Sequence, residues 1–586
     1  MSNEASQDNK TKASGDQRSW LRTLVGPLRP IFAEVAATSL FINVLALAVP
    51  IFVLQVYDRV VLYAGFTTLQ GLAIGMMFAI IFDFILRQSR SRLLQRVALR
   101  FDLAMGQRLF DKLVSVPLRT LETRAAGYWH ALFRDTETVR NAFSGGTAVL
   151  LADLPFAVVF LAFMFVIAKP VAWVILAMLP VFLFVAWRAA SVLRKASATE
   201  RSVGYSRDAL VAEMIAGRTT VKALATAPAL RPLWEDRQTG AIEQAIDRGG
   251  KTDRYVNMST GLTVFTTVLV TSVGAVAIVN KDLTIGALIA ANILSFRIVG
   301  PFQQLVGNWR NLVSAKDAAG RLGEAFVLAE DRQADAVSTE RPTGKLTFEE
   351  LAFGYGEDSP PAIDQLNVKV GPNGMLGIVG KNGSGKSTLL KLAQGLYAPT
   401  KGRVLLGDAD IAQYSRAQLA EWIGYVPQEC LLFAGTIRSN LAQRDIVASD
   451  EEIVRAAKAA GVHDYVVDLP DGYDTEIGEA GTRLSAGIRQ RIAIARALVG
   501  DPPIVLLDEP SSNLDRQAQE ELTRSLVALS RDHTILIVTH SPAMLTACGH
   551  IMALENGKLA LAGPSADVLG RLYPSSPTPL SEKRSA

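Results

Sequence analysis

Nine consecutive residues, Gly380-Lys381-Asn382-Gly383-Ser384-Gly385-Lys386-Ser387-Thr388, have the spacing G-x-x-x-x-G-K-[ST], which holds phosphate. Glycines 380, 383 and 385 let backbone N–H groups turn inward toward phosphate oxygens. The apolar run Met375–Val379 before them reads as a strand, and Ser387–Leu396 after them as a helix. The start of that helix adds its partial positive charge. Lys386 then reaches the β- and γ-phosphates of a nucleoside triphosphate, and the Ser387 hydroxyl helps to hold Mg²⁺. A second group is Ile504-Val505-Leu506-Leu507-Asp508-Glu509, an apolar strand closing on two acids. Asp508 suits Mg²⁺ coordination through water, and Glu509 suits polarisation of an attacking water. His540 closes the apolar run Thr534–Thr539, and Gln428 follows Ile423–Pro427. All of these fall where a strand meets a loop, the edge at which α/β sheets bind ligands.

The elements that must position these groups lie in the second half of the chain. Apolar strands at 345–353, 374–379, 402–406, 423–427, 503–508 and 533–539 alternate with helical segments. Asn556-Gly557, between apolar runs in 551–563, predicts a hairpin. Ahead of this half, residues 330–344 turn polar and charged around Pro342 and read as a linker.

The first half has another character. At 586 residues the chain is too long for one core, so at least two domains are expected. It is 49% hydrophobic and 20% charged, with mean hydropathy +0.23, which is apolar for a protein surrounded by water. Six long apolar stretches, near 31–56, 67–86, 147–168, 171–187, 256–279 and 284–306, predict membrane spans. Arg297, Gln303 and Gln304 interrupt the last of them. Arginines and lysines crowd the segment between spans two and three (Arg87 to Arg140) and the one between spans four and five (Arg188 to Arg254). The other connections carry essentially Arg59, Lys169 and Lys281. The positive-inside rule then puts both long segments and both termini in the cytoplasm. Two helices running out of the membrane and back account for each segment. Asn43, Gln55, Asp83, Asp153 and Asn292 fall at membrane depth or near it, where such groups either line a pathway or partner one another.

The remaining composition excludes other classes. A net charge of +4 is too small to indicate nucleic-acid binding. Cys430 and Cys548 make no disulfide framework and stay reduced in the cytosol. The first thirty residues are polar, with no short apolar run and cleavage site.

With these motifs in hand, residues of roughly 344–570 resemble the nucleotide-binding domain of ABC transporters. Leu484-Ser485-Ala486-Gly487-Ile488-Arg489-Gln490-Arg491 looks like the family signature, Ser512-Asn513-Leu514-Asp515 like its D-loop, Gln428 like the Q-loop residue and His540 like the switch histidine. Tyr355 matches the aromatic residue that stacks on adenine, and Thr475–Glu479 the segment that contacts the membrane domain in exporters. The resemblance implies ATP and Mg²⁺, with Ser387, Gln428 and Asp508 at the metal. Glu509, His540 and Gln428 are implied in hydrolysis. It also implies a dimer, a homodimer first and a heterodimer as the alternative. Each ATP is then held between one chain's Gly380–Thr388 loop and the other's signature, where Ser485 caps a helix beginning near Ala486 and Gly487 remains. The family usually has Gly-Gly-Gln after the serine; here Ala486 and Ile488 depart from it.

The membrane half resembles the six-helix domain of ABC exporters. Leu54-Gln55-Val56-Tyr57-Asp58-Arg59-Val60 and Gly286–Ser295 look like the type I secretion branch. Ala216–Lys222 lies where the family has its second coupling helix, and Ala125–Trp129 near the first. With about thirty residues ahead of the first span, no peptidase-like domain is expected. The predicted fold class is an all-α six-helix transmembrane domain followed by an α/β P-loop NTPase domain. Its boundaries are 1–30 (polar segment), 31–328 (membrane domain), 329–343 (linker), 344–572 (nucleotide-binding domain) and 573–586 (disordered tail). The function the resemblance implies is ATP-driven export of a protein or large peptide across the bacterial inner membrane, with a periplasmic adaptor and an outer-membrane channel as partners. Export of lipid or small hydrophobic molecules stays open, as does an ATP-binding regulator with weak turnover.

Overall fold

The computed structural model describes residues 20, 23, 26–124, 126–331, 340–356, 359–443 and 448–572. The expected tail, most of the linker (332–339) and most of the polar N-terminal segment lie outside these residues. The chain divides into two units: Met1–Ser115 with Arg124–Ala329, and Val116–Thr123 with Glu330–Ala586.

The first unit is helical. It contains α1 (Arg29–Leu45), α2 (Ala48–Gln55) and a π-turn (Val56–Val61), then α3 (Phe66–Ser115). The short α4 (Leu118–Glu122) groups with the second unit. Then come α5 (Ala126–Ser144), α6 (Gly146–Asp153), α7 (Phe156–Ile167), α8 (Lys169–Ala216), α9 (Arg218–Ala223), α10 (Ala227–Val279) and α11 (Ile285–Val327). Proline explains two interruptions. Pro50 has no N–H for the Ala46 carbonyl, and the helix breaks at Ala46–Leu47; Pro155 ends α6 in the same way.

Six helical runs, from Gly26–Val61 to Ile285–Val327, are long and apolar enough to cross a membrane, and their apolar windows are between 0 and 44% buried. Phe78, Phe82 and Phe84 stay more than half exposed. So much outward-facing apolar surface requires a hydrocarbon solvent. The six stretches read from the sequence are the membrane-depth parts of longer helices: α3 ends at Ser115, α8 at Ala216, and α11 runs on to Val327. A short helix, Leu118–Glu122, stands just ahead of Ala125–Trp129, because Pro117 halts α3 and starts a new turn. Gly286, Ala287, Ala290, Ala291 and Ser295 give α11 a buried face of small residues that lets neighbouring helices approach.

Four of the polar residues expected at membrane depth, Asn43, Asp83, Asp153 and Asn292, are partnered. Asp153 accepts from Arg90 (2.7 Å) and Asn43 (3.0 Å), and Arg90 also donates to the Ser39 hydroxyl. Asp83 pairs with Arg87, and Asn292 donates to Thr271. Pairing is the reading these contacts favour over a row of free pathway groups.

The second unit is α/β, with ten strands and two sheets among the described residues. One sheet is antiparallel, in the order β2 (Ile363–Val370), β1 (Leu346–Phe353), β4 (Lys401–Leu406), β5 (Ala409–Asp410). The other runs β10 (Lys558–Pro564), β9 (His550–Glu555), β3 (Gly374–Gly380), β8 (Thr534–Val538), β7 (Ile504–Asp508), β6 (Ile423–Val426). Strands β9, β3, β8, β7 and β6 are mutually parallel, and β10 pairs antiparallel with β9 as the Asn556-Gly557 hairpin requires. The helices are α12 (Lys386–Ala393), α13 (Arg416–Trp422), α14 (Ile437–Leu441), α15 (Asp450–Ala459), α16 (His463–Val467), α17 (Ala486–Leu498), α18 (Arg516–Leu529), α19 (Pro542–Ala547) and α20 (Ser565–Leu572). Strands β7 and β8 are buried along their whole length, which is why they read as unbroken apolar runs.

Candidate functional site

Four parallel strands end side by side, and each delivers one part of the site. Strand β3 runs into the glycine loop and α12; β7 ends on Asp508 and Glu509; β8 leads to His540; β6 leads to Gln428. Asn382, Gly383, Gly385, Lys386, Ser387 and Thr388 line a cleft of about 830 Å³ together with Tyr355, Ala362, Gln428, Asp508, Glu509 and His540. Ten of the residues singled out in the sequence (Tyr355, Asn382, Gly383, Gly385, Lys386, Ser387, Thr388, Gln428, Asp508 and Glu509) therefore line one cleft together with His540, while Gly380, Ser384, Ser485 and Gly487 do not line it.

The loop can take its shape only with glycine at 385. Its φ is +98°, and a Cβ there would stand 2.3 Å from the Ala362 carbonyl oxygen. At Gly383, with φ +80°, the space beside the missing Cβ is open. The Lys386 ammonium turns back onto the carbonyls of Gly380 (2.8 Å) and Lys381 (3.0 Å). The Ser384 hydroxyl is buried in the loop with no hydrogen-bond partner. An orphaned hydroxyl, inward glycines and a lysine that satisfies itself on backbone carbonyls fit a site that takes phosphate.

Burial shapes the electrostatics. It pushes the Asp508 carboxyl up, and adjacent Glu509 adds to this, against the Ser387 hydrogen bond and Lys386, which pull the other way. Burial also lowers the Lys386 ammonium, opposed by Glu509 and Asp508. Glu509 has a left-handed backbone, φ +49°, fixed by its N–H donating to the Val538 carbonyl. Such strain on a non-glycine residue concentrates at functional positions. Its carboxylate lies 3.5 Å from His540 Nε2.

Tyr355 stands at the rim of the cleft. Its hydroxyl shares a hydrogen bond with Thr388 Oγ1 (2.9 Å), and its ring meets Phe353 and Tyr397 edge-on. Arg119, on α4 in the same unit, donates to the Tyr355 carbonyl (2.8 Å) and lies over the Phe353 ring. Glu122 accepts from the Tyr397 hydroxyl and from Lys391. The sequence reading missed Ala362, Phe353, Tyr397, Arg119 and Glu122. Apolar residues at 363, 366, 368 and 370 were the signal for β2, which Ala362 immediately precedes.

Ser485 and Gly487 are not among the residues lining this cleft. They open α17, where the Ser485 hydroxyl oxygen accepts from the Ile488 N–H as an N-cap. A Cβ at Gly487 would lie 3.1 Å from the Asn513 carbonyl, so the signature packs tightly on the Ser512–Asp515 turn. Ile488 is partly buried against the apolar core instead of offering an amide.

Comparison with known proteins agrees with this geometry. Residues 363–512 match the model of the ABC transporter family, and residues 32–302 match that of the ABC transporter transmembrane region. The exotoxin translocation ATP-binding protein PaxB of Pasteurella aerogenes is 31% identical over 553 residues, covering 94% of this chain and 77% of that protein. The alpha-hemolysin translocation ATP-binding protein HlyB of Escherichia coli is 30% identical over 565 residues, covering 94% and 78%. Among solved structures, a bacterial Atm1-family ABC exporter with ATP bound superposes with a TM-score of 0.82 at 23% identity, covering 93% of this chain and 96% of that one, a likeness of fold.

Proposed function

The chain belongs to the ABC transporter family, and we propose that it exports a protein or large peptide across a bacterial inner membrane as the ATPase of a type I secretion system. The observation that carries this reading is its likeness, along 94% of its length, to proteins named for translocating exotoxin and alpha-hemolysin. The Leu54–Val60 and Gly286–Ser295 motifs point the same way. The chain is membrane-embedded, and its ATPase domain couples ATP hydrolysis to transport. The loop N–H groups and Lys386 hold the phosphates, and Tyr355 takes the adenine. Ser387, Asp508 and Gln428 would hold Mg²⁺, which would offset the negative charge of the phosphates. Glu509 orients and polarises the attacking water, with His540 beside it. Ser485 and Gly487 of a second chain close the site, so the working unit is a dimer with both ATPase domains on the cytoplasmic side. A periplasmic adaptor and an outer-membrane channel complete the path.

The test is ATP hydrolysis by the purified chain in lipid, beside Glu509→Gln. General-base catalysis contributes about 10²–10⁴-fold, so turnover should fall by that factor while ATP stays bound. Hydrolysis by the variant within about threefold of the parent would overturn the role of Glu509, since far less than the base's share would then be lost. No hydrolysis by either chain, with ATP bound, would point to a partner chain carrying a signature without the Ala486 and Ile488 departures. Co-purification with an adaptor separates type I secretion from lipid export.

A further inference from the structure

Two motifs of the membrane half play no part at the nucleotide, and in the fold they meet. Asp58 lies in the π-turn Val56–Val61 that ends the first span. Its Oδ2 accepts from the Thr284 hydroxyl at 2.6 Å, and its Oδ1 accepts from the Gly286 backbone N–H at 3.0 Å. Thr284 is itself the N-cap of α11, its hydroxyl oxygen accepting from the Ala287 N–H. One carboxylate therefore engages both the cap and a free N–H at the positive end of a 43-residue helix. The approach requires glycine at 286. A Cβ there would stand 2.7 Å from Asp58 Oδ1 and 2.7 Å from the Leu54 carbonyl oxygen.

The Asp58 side of the contact is an unusual backbone. A π-turn holds one residue more than an α-turn and occurs mostly at functional sites. Relaxing it to an α-helix would swing the residues that follow by about 100° around the helix axis. Asp58 would then face away from α11. The carboxylate holds the turn, and the turn aims the carboxylate, so loss of either would release the other.

We propose that this clasp is a gate: it holds the first and sixth spans together at the end remote from the charged extensions, and transport requires it to open when ATP binds. The proposal rests on the transport reading above, but its test reads a distance and needs no cargo. The full-length chain, with Cys430→Ser and Cys548→Ala, carries nitroxide labels at Tyr63→Cys and Ile285→Cys, whose parent side chains are 79% and 58% exposed. It is diluted with unlabelled chain in lipid nanodiscs, and the label separation is measured without nucleotide and with ATP trapped by Glu509→Gln. We expect a single short separation without nucleotide and a longer one with trapped ATP. Hydrogen bonds to a charged group weigh enough that Asp58→Ala should raise the nucleotide-free population of the longer separation about tenfold or more. Asp58→Asn, which keeps one oxygen acceptor, falls between. Gly286→Ala forces the spans apart with Asp58 in place and should resemble Asp58→Ala; if either variant fails to fold, Thr284→Val carries the same comparison. The parent's separation in variants that still bind ATP, or a parent separation that trapped ATP does not move, overturns the gate. A failed secretion assay with the expected separations would instead overturn only the choice of cargo.

Discussion

Gly385→Ala and Gly383→Ala add the same methyl group two residues apart, yet the two sites oppose it differently. At 385 the methyl would stand 2.3 Å from the Ala362 carbonyl oxygen and 2.8 Å from Ile363 Cδ1. The isoleucine can turn away. The carbonyl cannot, because the Ala362 N–H is bonded to the Phe353 carbonyl at 2.8 Å and leads into β2. An ordinary carbon–oxygen contact of about 3.3 Å then needs a shift of about 1 Å, passed directly to Lys386. Overpacking that forces a backbone shift of this kind costs about 1–3 kcal/mol of stability. The left-handed backbone adds about 1–2 kcal/mol for a residue with a Cβ. At 383, with φ +80° and open space beside it, only the backbone cost applies before a ligand arrives. For a unit of this size about 1 kcal/mol moves Tm by about 2–4 °C. Without nucleotide, Gly385→Ala should therefore lower the Tm of the ATPase unit by about 4–20 °C, and Gly383→Ala by about 2–8 °C. Both should weaken ATP binding, because both residues line the cleft. The assay is thermal unfolding with and without ATP. Equal shifts for the two variants without ATP would refute the reasoning, since they would mean that the Ala362 carbonyl gives way freely.

Three further outcomes follow from the same geometry. Arg90→Met or Asp153→Leu alone leaves a buried charge unpaired and should cost about 3–5 kcal/mol, whereas the double variant should recover most of it; thermal unfolding in lipid checks this. Binding of MgATP needs Asp508 ionised and Lys386 protonated. Asp508 is raised, by burial first and Glu509 next, so affinity should fall on acidification at a pH above its ordinary 3.8. Lys386 is lowered by burial, so affinity should also fall on alkalinisation below its ordinary 10.5; a binding titration across pH reads both limbs, and Glu509→Gln should move each toward lower pH. Burial raises Glu122, but hydrogen bonds from Tyr397 and Lys391 outweigh it and hold the carboxyl below its ordinary 4.5. Its stabilisation is thus present above 4.5 and lost as pH falls through the lower folded value. It is a half-exposed group, worth about 0–1 kcal/mol, and the stability gap between parent and Glu122→Gln should shrink only in acid.

Much of the site was legible because its parts are local in sequence. The glycine loop, the acids closing β7 and the histidine after β8 each announce themselves within ten residues, and fully buried parallel strands leave unbroken apolar runs. The antiparallel sheet was harder. In β2, Ile363, Leu366 and Val370 are buried with charged and amide residues between them, and its pairing with β1 shifts register, so no clean alternation survives. The charged extensions of the long helices carry too many arginines, lysines and acids to read as spans. The choice between pathway and pairing for Asp153 needed distances to Arg90 and Asn43, 63 and 110 residues away. The support under Tyr355 was illegible for the same reason: Arg119 and Tyr355 are 236 residues apart.

The length of α3 has a mechanical meaning. Its 50 residues make a rod of about 75 Å, of which about 30 Å lies in hydrocarbon. The remaining 45 Å or so is a lever arm with its fulcrum in the membrane. A tilt of about 5° swings the tip of such an arm by about 4 Å, close to one residue's length of chain. The tip is Ser115, two residues before Pro117 turns the chain into α4. A rigid rod needs no hinge along its length to deliver that stroke, so proline placed between Leu93 and Met105, where its buried face is continuous, would absorb the motion as bending.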